Sequence, residues 1–215
     1  MNYTYHTNKL RGKFNAWGLS LINESMHHLF GRYKKELLQE VPESLVEIGA
    51  GAGANMRYYP KGTKVIAIEP NIPMHPFLKK EAAKYGIELE IIPAMAEQIP
   101  LPDHSVSMVI STLVLCTVQD PDQCLKEIKR ILRPEGKFVF LEHVRAQSNS
   151  RLLHLQNLLH GPWCWLFEGC HTNRDTASFI HKAGFSNVQL DAYRMKIWGS
   201  TFFPVSPQIK GVGVK

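Results

Sequence analysis

The sequence lacks most features that mark secreted, metal-dependent or membrane-spanning proteins. It has four cysteines, and no two of them are spaced as C-x-x-C. No apolar stretch reaches the roughly 18 residues that a bilayer-spanning helix requires, and no secretory signal opens the chain. These absences argue against a disulfide or zinc framework, so we expect reduced thiols, no bound metal and a cytoplasmic location. They leave peripheral contact with a membrane surface open.

The sequence also lacks a concentrated basic patch. The net charge is +6 over 215 residues, and the lysines and arginines are dispersed along the chain. Dispersed charges are typical of solvated helix faces rather than of a nucleic-acid-binding surface. The length suits one domain with a small extension, and the apolar content of 44% is that of an ordinary globular protein. We therefore expect no nucleic-acid partner, and the oligomeric state stays open.

The stretch between Glu47 and Glu69 holds the most informative pattern. An apolar strand runs into Gly49, Gly51 and Gly53, a short helical turn follows, and a second apolar strand ends at Glu69. Alternate glycines let a ligand approach the backbone closely, because they carry no Cβ atom. Glu69 follows Glu47 at the distance where a parallel second strand places a carboxylate against a ribose diol. The pattern predicts a nucleoside-binding βαβ unit.

This glycine run fits two nucleotide-binding patterns. Gly49, Gly51 and Ala54 satisfy the G-x-G-x-x-G/A fingerprint of dinucleotide binding. With Gly53, and with Glu47 two residues ahead, the run also satisfies the D/E-x-G-x-G-x-G pattern of S-adenosylmethionine binding. A carboxylate repels a pyrophosphate but attracts the ammonium and sulfonium groups of S-adenosylmethionine. Glu47 therefore favours S-adenosylmethionine over a dinucleotide.

Apolar strands and helices alternate after residue 43. Strands are predicted over 45–48, up to 69, 89–92, 107–113, 137–141, 188–193 and 211–214, and helices over 77–85, 120–133 and 173–183. This alternation predicts an α/β, Rossmann-like fold with a mostly parallel seven-stranded sheet, helices on both faces and an antiparallel C-terminal strand. The ligand is expected at the C-terminal ends of the first, second and fourth strands.

Residues 1–42 are predicted to form an N-terminal helical extension. Apolar positions recur on one helical face over 14–39, and Gly31 weakens the middle of the segment, so that two helices are an alternative to one. The extension either packs on the core or forms a lid over the ligand. In the second case, Trp17 or Tyr33 would contact the ligand.

Residues 150–170 form an inserted segment within the methyl-donor-binding domain expected over 43–215. The segment carries a leucine stripe and the large aromatic residues Trp163, Trp165 and Phe167. It lies where an extra helix is inserted over the substrate site. Core packing, an apolar wall for a lipophilic substrate and a patch that contacts a membrane are all compatible with this composition.

Five segments carry a resemblance to a known superfamily: VEIGAGAGAN (46–55), AIEPN (67–71), AEQIPLPDHS (96–105), STLVLCTVQDPDQCLKEIKRILRPEGKFVFLEHV (111–144) and KAGF (182–185). Through them the chain resembles the class I S-adenosylmethionine-dependent methyltransferases. GANMRYYP, TLVLCTV, LEHV and FEGCHTNRDT (167–176) are similar to the methyltransferase-like thiol S-methyltransferases, and the central block also resembles the ubiquinone/menaquinone C-methyltransferases. The resemblance implies S-adenosyl-L-methionine as the cofactor and S-adenosyl-L-homocysteine as its product.

The resemblance also implies which residues bind the cofactor. Glu47 would lie near its amino group and Glu69 would bind the ribose hydroxyls. The remaining residues would line the methionine portion, the adenine and the end of the fourth strand: Gly49, Ala50, Gly51, Gly53, Pro70, Met95, Ala96, Glu97, Thr112 and Leu113. Met95 stands where the family usually has an acidic residue. Adenine recognition would therefore rest on backbone groups, on Glu97 or on an apolar contact from Met95.

Motifs that the sequence lacks narrow the methyl acceptor. The fourth strand ends STLVLC, without the D/N-P-P-Y/F motif for nucleobase amines or the glutamate pair of protein arginine methylation. A small, lipophilic acceptor remains, with a thiol first and a quinone or phospholipid headgroup second. A thiol is partly ionised near neutral pH, whereas other acceptors more often need a base, for which His143, His171 and Asp175 are candidates. An NAD-dependent oxidoreductase and a catalytically silent cofactor-binding protein are the alternatives from other classes.

Overall fold

A seven-stranded sheet organises the chain in the computed structural model, which describes residues 9–195 and 202–215. The strands are β1 (Ser44–Ile48), β2 (Lys64–Ile68), β3 (Glu88–Ile92), β4 (Val106–Thr112), β5 (Leu132–His143), β6 (Asn187–Arg194) and β7 (Pro207–Val214). Their order is β3-β2-β1-β4-β5-β7-β6. All neighbours are parallel except β7, which is antiparallel to both β5 and β6. The predicted Rossmann-like sheet with its antiparallel C-terminal strand is confirmed.

The α-helices in the described residues are α1 (Lys9–Leu37), α2 (His75–Tyr85), α3 (Pro121–Ile131), α4 (Arg151–Leu166) and α5 (Thr176–Lys182). Apolar residues of α3 and α5 pack on one face of the sheet, and those of α2 pack in a second cluster with β1, β2 and Val139 of β5. Gly86 ends α2 as predicted, since its left-handed φ of 69° lets its N–H bond the last turn. Both faces of the sheet are thus covered, which leaves the strand ends for the site.

Helix α1 is continuous, so of the two alternatives left open, the division into two helices at Gly31 is wrong. A Cβ at Gly31 would lie 3.3 Å from the hydroxyl oxygen of Tyr58, so glycine there allows the helix to approach the turn after β1 closely. Trp17 or Tyr33 was expected to contact the ligand if the extension formed a lid. The ring of Tyr33 packs on that of Tyr193 with centroids 4.0 Å apart, and Trp17 is 54% exposed. Residues 1–8 of the predicted extension lie outside the described part of the chain.

Two further boundaries differ from the prediction for local reasons. Strand β5 begins directly after α3 rather than at residue 137, because Leu132 already pairs with Val106 of β4. Helix α5 begins at Thr176 rather than at residue 173. Asp175, the residue just before Thr176, is the N-cap of the helix, because its carboxylate accepts the N–H of Ser178 at 3.2 Å.

Candidate active site

A cavity of about 950 Å³ opens at the C-terminal ends of β1, β2 and β4. Most of the predicted cofactor-binding residues border it, namely Gly49, Gly51, Glu69, Pro70, Met95, Ala96, Glu97 and Leu113. Glu47, Ala50, Gly53 and Thr112 are not among the bordering residues. Helix α1 also contributes to the wall, through Phe14, Asn15 and Gly18 rather than through the predicted aromatic residues. The volume suits a nucleoside-sized ligand together with a small second molecule.

Glu47 lies beneath the glycine loop rather than in the cavity wall. Its carboxylate is buried and accepts hydrogen bonds from the Asn55 amide at 2.9 Å and the Tyr59 hydroxyl at 2.7 Å. The same Asn55 amide nitrogen donates to Thr112 at 3.0 Å, so it connects β1 with β4. Burial raises the pKa of Glu47 to about 7, while Tyr59 and Lys34 act in the opposite direction. The role of Glu47 toward the cofactor's amino group stays a prediction. The sequence analysis did not identify its two hydrogen-bond partners, Asn55 and Tyr59.

Glycine is needed at the three positions of the loop for different structural reasons. All have positive φ, at 56°, 54° and 85° for Gly49, Gly51 and Gly53. A Cβ at Gly49 would lie 2.6 Å from Val114, and one at Gly53 would lie 2.9 Å from Cβ of Glu81. At Gly51 the nearest atom to such a Cβ is 3.9 Å away. The space beside Gly51 is therefore the part of the loop that a ligand group could fill.

Glu69 connects the two loops that border the nucleoside end of the cavity. Its carboxylate accepts the N–H of Gly51 and the N–H of Asn71, both at 2.8 Å. Burial raises the pKa of Glu69 to about 7, although these two N–H groups lower it. Asn71 also borders the cavity, and its side-chain oxygen is buried without a hydrogen-bond partner among the described residues. Sequence reasoning missed Asn71, although it ends the motif that contains Glu69.

Glu97 is positioned at the segment that was predicted to contact adenine. One carboxylate oxygen accepts the N–H of Gln119 at 2.6 Å and that of Asp120 at 3.3 Å, which anchors the loop before α3. In the described chain, the other oxygen is buried and has no partner. Met95 and Ala96 border the cavity beside it. The segment thus offers apolar contacts and one unused buried acceptor, which suits an exocyclic amino group.

These observations fit S-adenosylmethionine. The open space beside Gly51 admits a ligand group, the carboxylate of Glu69 suits hydroxyl donors, and the unpaired oxygen of Glu97 suits an amine donor. These are the kinds of group that the methionine, ribose and adenine portions present. The fit uses residues of three separate strand ends, as expected for a ligand at the switch point of a parallel sheet.

The three predicted catalytic residues do not lie together. His143 and His171 border the cavity, whereas Asp175 is not among the bordering residues. Asp175 caps α5, and its carboxylate lies 3.7 Å from the guanidinium of Arg145. The structure therefore accounts for Asp175 as a helix cap, and its role as a base stays a prediction without support from its position. Burial, with Arg174 and His160 nearby, lowers the pKa of His171 to about 4.

Two thiols and an imidazole meet in the wall of the cavity. Nε2 of His143 lies 3.1 Å from Sγ of Cys170, and Sγ of Cys116 lies 3.8 Å from the same sulfur. The indole N–H of Trp163 also donates to Cys170, at 3.4 Å. The Cys116 thiol lowers the pKa of Cys170, burial opposes this, and the Trp163 N–H supports it. Sequence reasoning identified His143 but not this cluster, because its members come from three distant segments.

Part of the cavity wall is apolar and aromatic. Trp163, Trp165 and Phe167 border it at the C-terminal end of α4. Only Leu152 and Gln156 of α4 are buried, so core packing describes a small part of the segment over 150–170. In the described residues, no helix combines the length and hydropathy needed to cross a membrane.

Comparisons with known proteins agree with this site. A methyltransferase domain family matches residues 46–140. A rat thiol S-methyltransferase, TMT1B, is 38% identical over 196 residues, covering 85% of this chain and 78% of the relative. The C-methyltransferase UbiE of Hahella chejuensis is 30% identical over 130 residues, covering 57% of this chain and 52% of that protein. A solved S-adenosylmethionine-dependent methyltransferase from Thermotoga maritima shares the fold, with a TM-score of 0.67 at 20% identity over 96% of this chain and 98% of that one.

The fold and these matches define a class I S-adenosylmethionine-dependent methyltransferase. Within that class, the chain belongs to the family of methyltransferases that includes the thiol S-methyltransferase TMT1B. This membership confirms the predicted enzyme class. It contradicts the alternative of an NAD-dependent oxidoreductase, whereas the alternative of a catalytically silent cofactor-binding protein is decided by a turnover assay.

Proposed function

We propose that this enzyme transfers the methyl group of S-adenosylmethionine to the sulfur of a small, lipophilic thiol. The observation that carries the proposal is the composition of the single cavity described above. The glycine loop and Glu69 form one part of its wall, and the aromatic residues Trp163, Trp165 and Phe167 form another part. An apolar acceptor would therefore bind directly beside the donor. The activity in the name of the rat relative supports sulfur as the acceptor atom.

The residues of this chain would act mainly by positioning. S-adenosylmethionine, when bound, supplies a methyl carbon made electrophilic by the adjacent positive sulfur. The loops held together by Glu69 would bind the donor. The aromatic part of the cavity wall would hold the acceptor in line with the methyl carbon. Alignment of this kind accounts for much of the acceleration of a displacement reaction. The apolar wall would also keep water away from the attacking sulfur.

The proton of the thiol places few demands on the protein. A thiol with a pKa of about 8.5 is already a few per cent ionised at pH 7. His171, with its pKa lowered to about 4, is neutral at that pH but is too weak a base to take a proton from a thiol. The one carboxylate candidate, Asp175, caps a helix. A carbon or amine acceptor would need a stronger base than these two residues, so they favour an acceptor that ionises without one.

A quinol carbon is the second candidate acceptor. The similarity to the C-methyltransferase UbiE supports it, and a quinol ring would also suit an aromatic, apolar end of the cavity. The two candidates differ in the bond that forms, a sulfur–carbon bond in one and a carbon–carbon bond in the other.

A methyl-transfer assay tests the proposal directly. The purified full chain would be incubated with S-adenosylmethionine labelled at its methyl group and with separate alkyl thiols, quinols and phosphoethanolamine. We expect labelled thioether from the thiols and S-adenosylhomocysteine in equal amount. Glu69→Gln provides the control for background transfer. Turnover of quinols or amines without turnover of any thiol would overturn the proposal.

A further inference from the structure

Cys116, His143 and Cys170 are arranged as a set of metal ligands. Cys116 lies in the loop after β4, His143 ends β5, and Cys170 follows α4. One ligand atom from each of the three side chains lies within 4.8 Å of the others. The cysteines are free thiols, and their sulfur separation of 3.8 Å is far longer than the roughly 2.05 Å of a disulfide.

The sulfur–sulfur separation matches that at a tetrahedral zinc ion, and the separation of Nε2 of His143 from Sγ of Cys170 is about 0.5 Å shorter than at such an ion. Zinc binds thiolate sulfur at about 2.3 Å and imidazole nitrogen at about 2.0–2.1 Å, which places two sulfurs about 3.8 Å apart and sulfur and nitrogen about 3.6 Å apart. Here the two sulfurs are 3.8 Å apart, and Nε2 of His143 is 3.1 Å from Sγ of Cys170. Small side-chain adjustments would therefore suffice to bind the ion. A set of two thiolates and an imidazole also binds zinc in preference to harder cations.

The three-ligand set leaves one coordination position unused. No fourth histidine, cysteine or carboxylate joins the group in the part of the chain that the structure describes. All three ligands border the cavity that also contains the glycine loop. Three protein ligands with an open fourth position are typical of catalytic zinc, whereas structural zinc has four. The open position would face the space assigned to the acceptor.

We propose that Cys116, His143 and Cys170 bind Zn²⁺, and that the acceptor thiol occupies the fourth position as a thiolate. The second half of this proposal rests on the proposed thiol methylation. On binding, the S–H proton is released to water and a zinc–sulfur bond forms. The sulfur electron pair then forms a bond to the methyl carbon while the bond from that carbon to the positive sulfur breaks. The products are a thioether, which is a weak zinc ligand, and neutral S-adenosylhomocysteine.

The surroundings of His143 indicate a moderate affinity. Its Nδ1 atom is buried and has no hydrogen-bond partner among the described residues. Zinc-bound histidines usually donate from this second nitrogen to an acceptor, and loss of such an acceptor typically weakens metal binding about 10- to 100-fold. We therefore expect a chelator present during purification to remove the ion. Protein for these measurements should be prepared without chelator.

The first test measures metal directly. Full-length protein freed of metal would be titrated with Co²⁺ and with Zn²⁺, following thiolate-to-cobalt absorption and bound zinc by mass spectrometry. We expect about one ion per chain and a thiolate charge-transfer band for cobalt. Cys116→Ser and Cys170→Ala should each weaken binding at least about tenfold, whereas Cys124→Ala, which removes a buried thiol outside the cluster, should not.

S-adenosylhomocysteine affinity and circular dichroism would verify that each variant is folded. The absence of a cobalt–thiolate band in the unaltered protein overturns the site without recourse to any variant. Binding that survives in both ligand variants also overturns it.

The second test separates this inference from the proposed function. Thiol methylation by metal-free protein should fall at least about tenfold and recover on addition of Zn²⁺, with S-adenosylhomocysteine affinity unchanged. Full thiol turnover in metal-free protein would overturn the role of zinc and leave the proposed function intact. Zinc binding by the three residues without thiol turnover would overturn the proposed function and the acceptor's place on the ion, while the metal site would stand.

Discussion

Replacement of Glu69 by glutamine tests how the cofactor site is built. The substitution keeps the size of the side chain but removes the charge that we propose binds the ribose hydroxyls. A hydrogen bond to a charged group contributes about 1.5–3 kcal/mol, so we expect the dissociation constant for S-adenosylhomocysteine to rise about 10- to 150-fold at pH 8. Isothermal titration calorimetry measures this change. Glu90→Gln, at an exposed position of the adjacent strand β3, is the matched control.

The pH dependence of the cofactor affinity provides a second, independent test of this prediction. Because the folded pKa of Glu69 is about 7, the wild-type side chain becomes neutral below that pH and then resembles glutamine. The affinity difference between wild type and variant should therefore be largest at pH 8 and shrink toward pH 5.5. Glu47 titrates in the same range, but it is present in both proteins and cancels in the comparison.

The stability of the ligand-free protein should follow the same linkage. An acid whose pKa rises from 4.5 to about 7 on folding stabilises the fold at low pH and loses that contribution as the pH rises through 7. Urea unfolding of wild type should show this loss between about pH 4.5 and 7, and Glu69→Gln should lack that part of it. Equal affinities at pH 8, or an affinity difference that does not change with pH, would refute the assignment of Glu69.

Three further predictions address the loop, the acceptor end and the core beneath them. Gly51→Ala should weaken S-adenosylhomocysteine binding, with only about 1–2 kcal/mol of lost stability from its positive φ. Gly49→Ala should lose more stability, because its Cβ would meet Val114. Calorimetry measures the binding and urea unfolding the stability, and equal stability losses would contradict the argument. Trp165→Ala should raise KM for lipophilic thiols and leave S-adenosylhomocysteine affinity unchanged, while Leu158→Ala on the exposed side of α4 should change neither. A loss of cofactor affinity alone would place Trp165 beside the cofactor rather than beside the acceptor. Glu142→Ala should reduce the free energy of unfolding by at least about 1–3 kcal/mol, because it leaves the buried Ser111 hydroxyl and two backbone N–H groups without their acceptor; an unchanged urea midpoint would count against this.

The sequence was sufficient to predict the sheet and the meeting of the glycine loop with Glu69. Both depend on short-range patterns, because a glycine turn after an apolar strand and a carboxylate after the next strand reach the same edge of a parallel sheet. Gly51 and Glu69 are therefore brought together, 2.8 Å apart, as the pattern requires. The antiparallel pair β6 and β7 was also predictable from two apolar runs near the C-terminus.

Contacts between distant segments were not predictable in the same way. Cys116, His143 and Cys170 have no diagnostic spacing, since each comes from a different strand end or loop. The hydrogen bonds that bury Glu47 depend on how the turn after β1 folds back, which no periodicity encodes. Asp175 is a contrasting example, because an aspartate just ahead of a helix signals an N-cap, and that signal could have been used.

The reaction product is the most direct test of the central claim, that one cavity holds S-adenosylmethionine and a lipophilic thiol side by side. Mass spectrometry of a reaction between methyl-labelled donor and an alkyl thiol should show one labelled methyl on the thiol sulfur, with a rate that falls sharply in Glu69→Gln. Donor that binds tightly while no thiol in the series acquires the label would contradict that account.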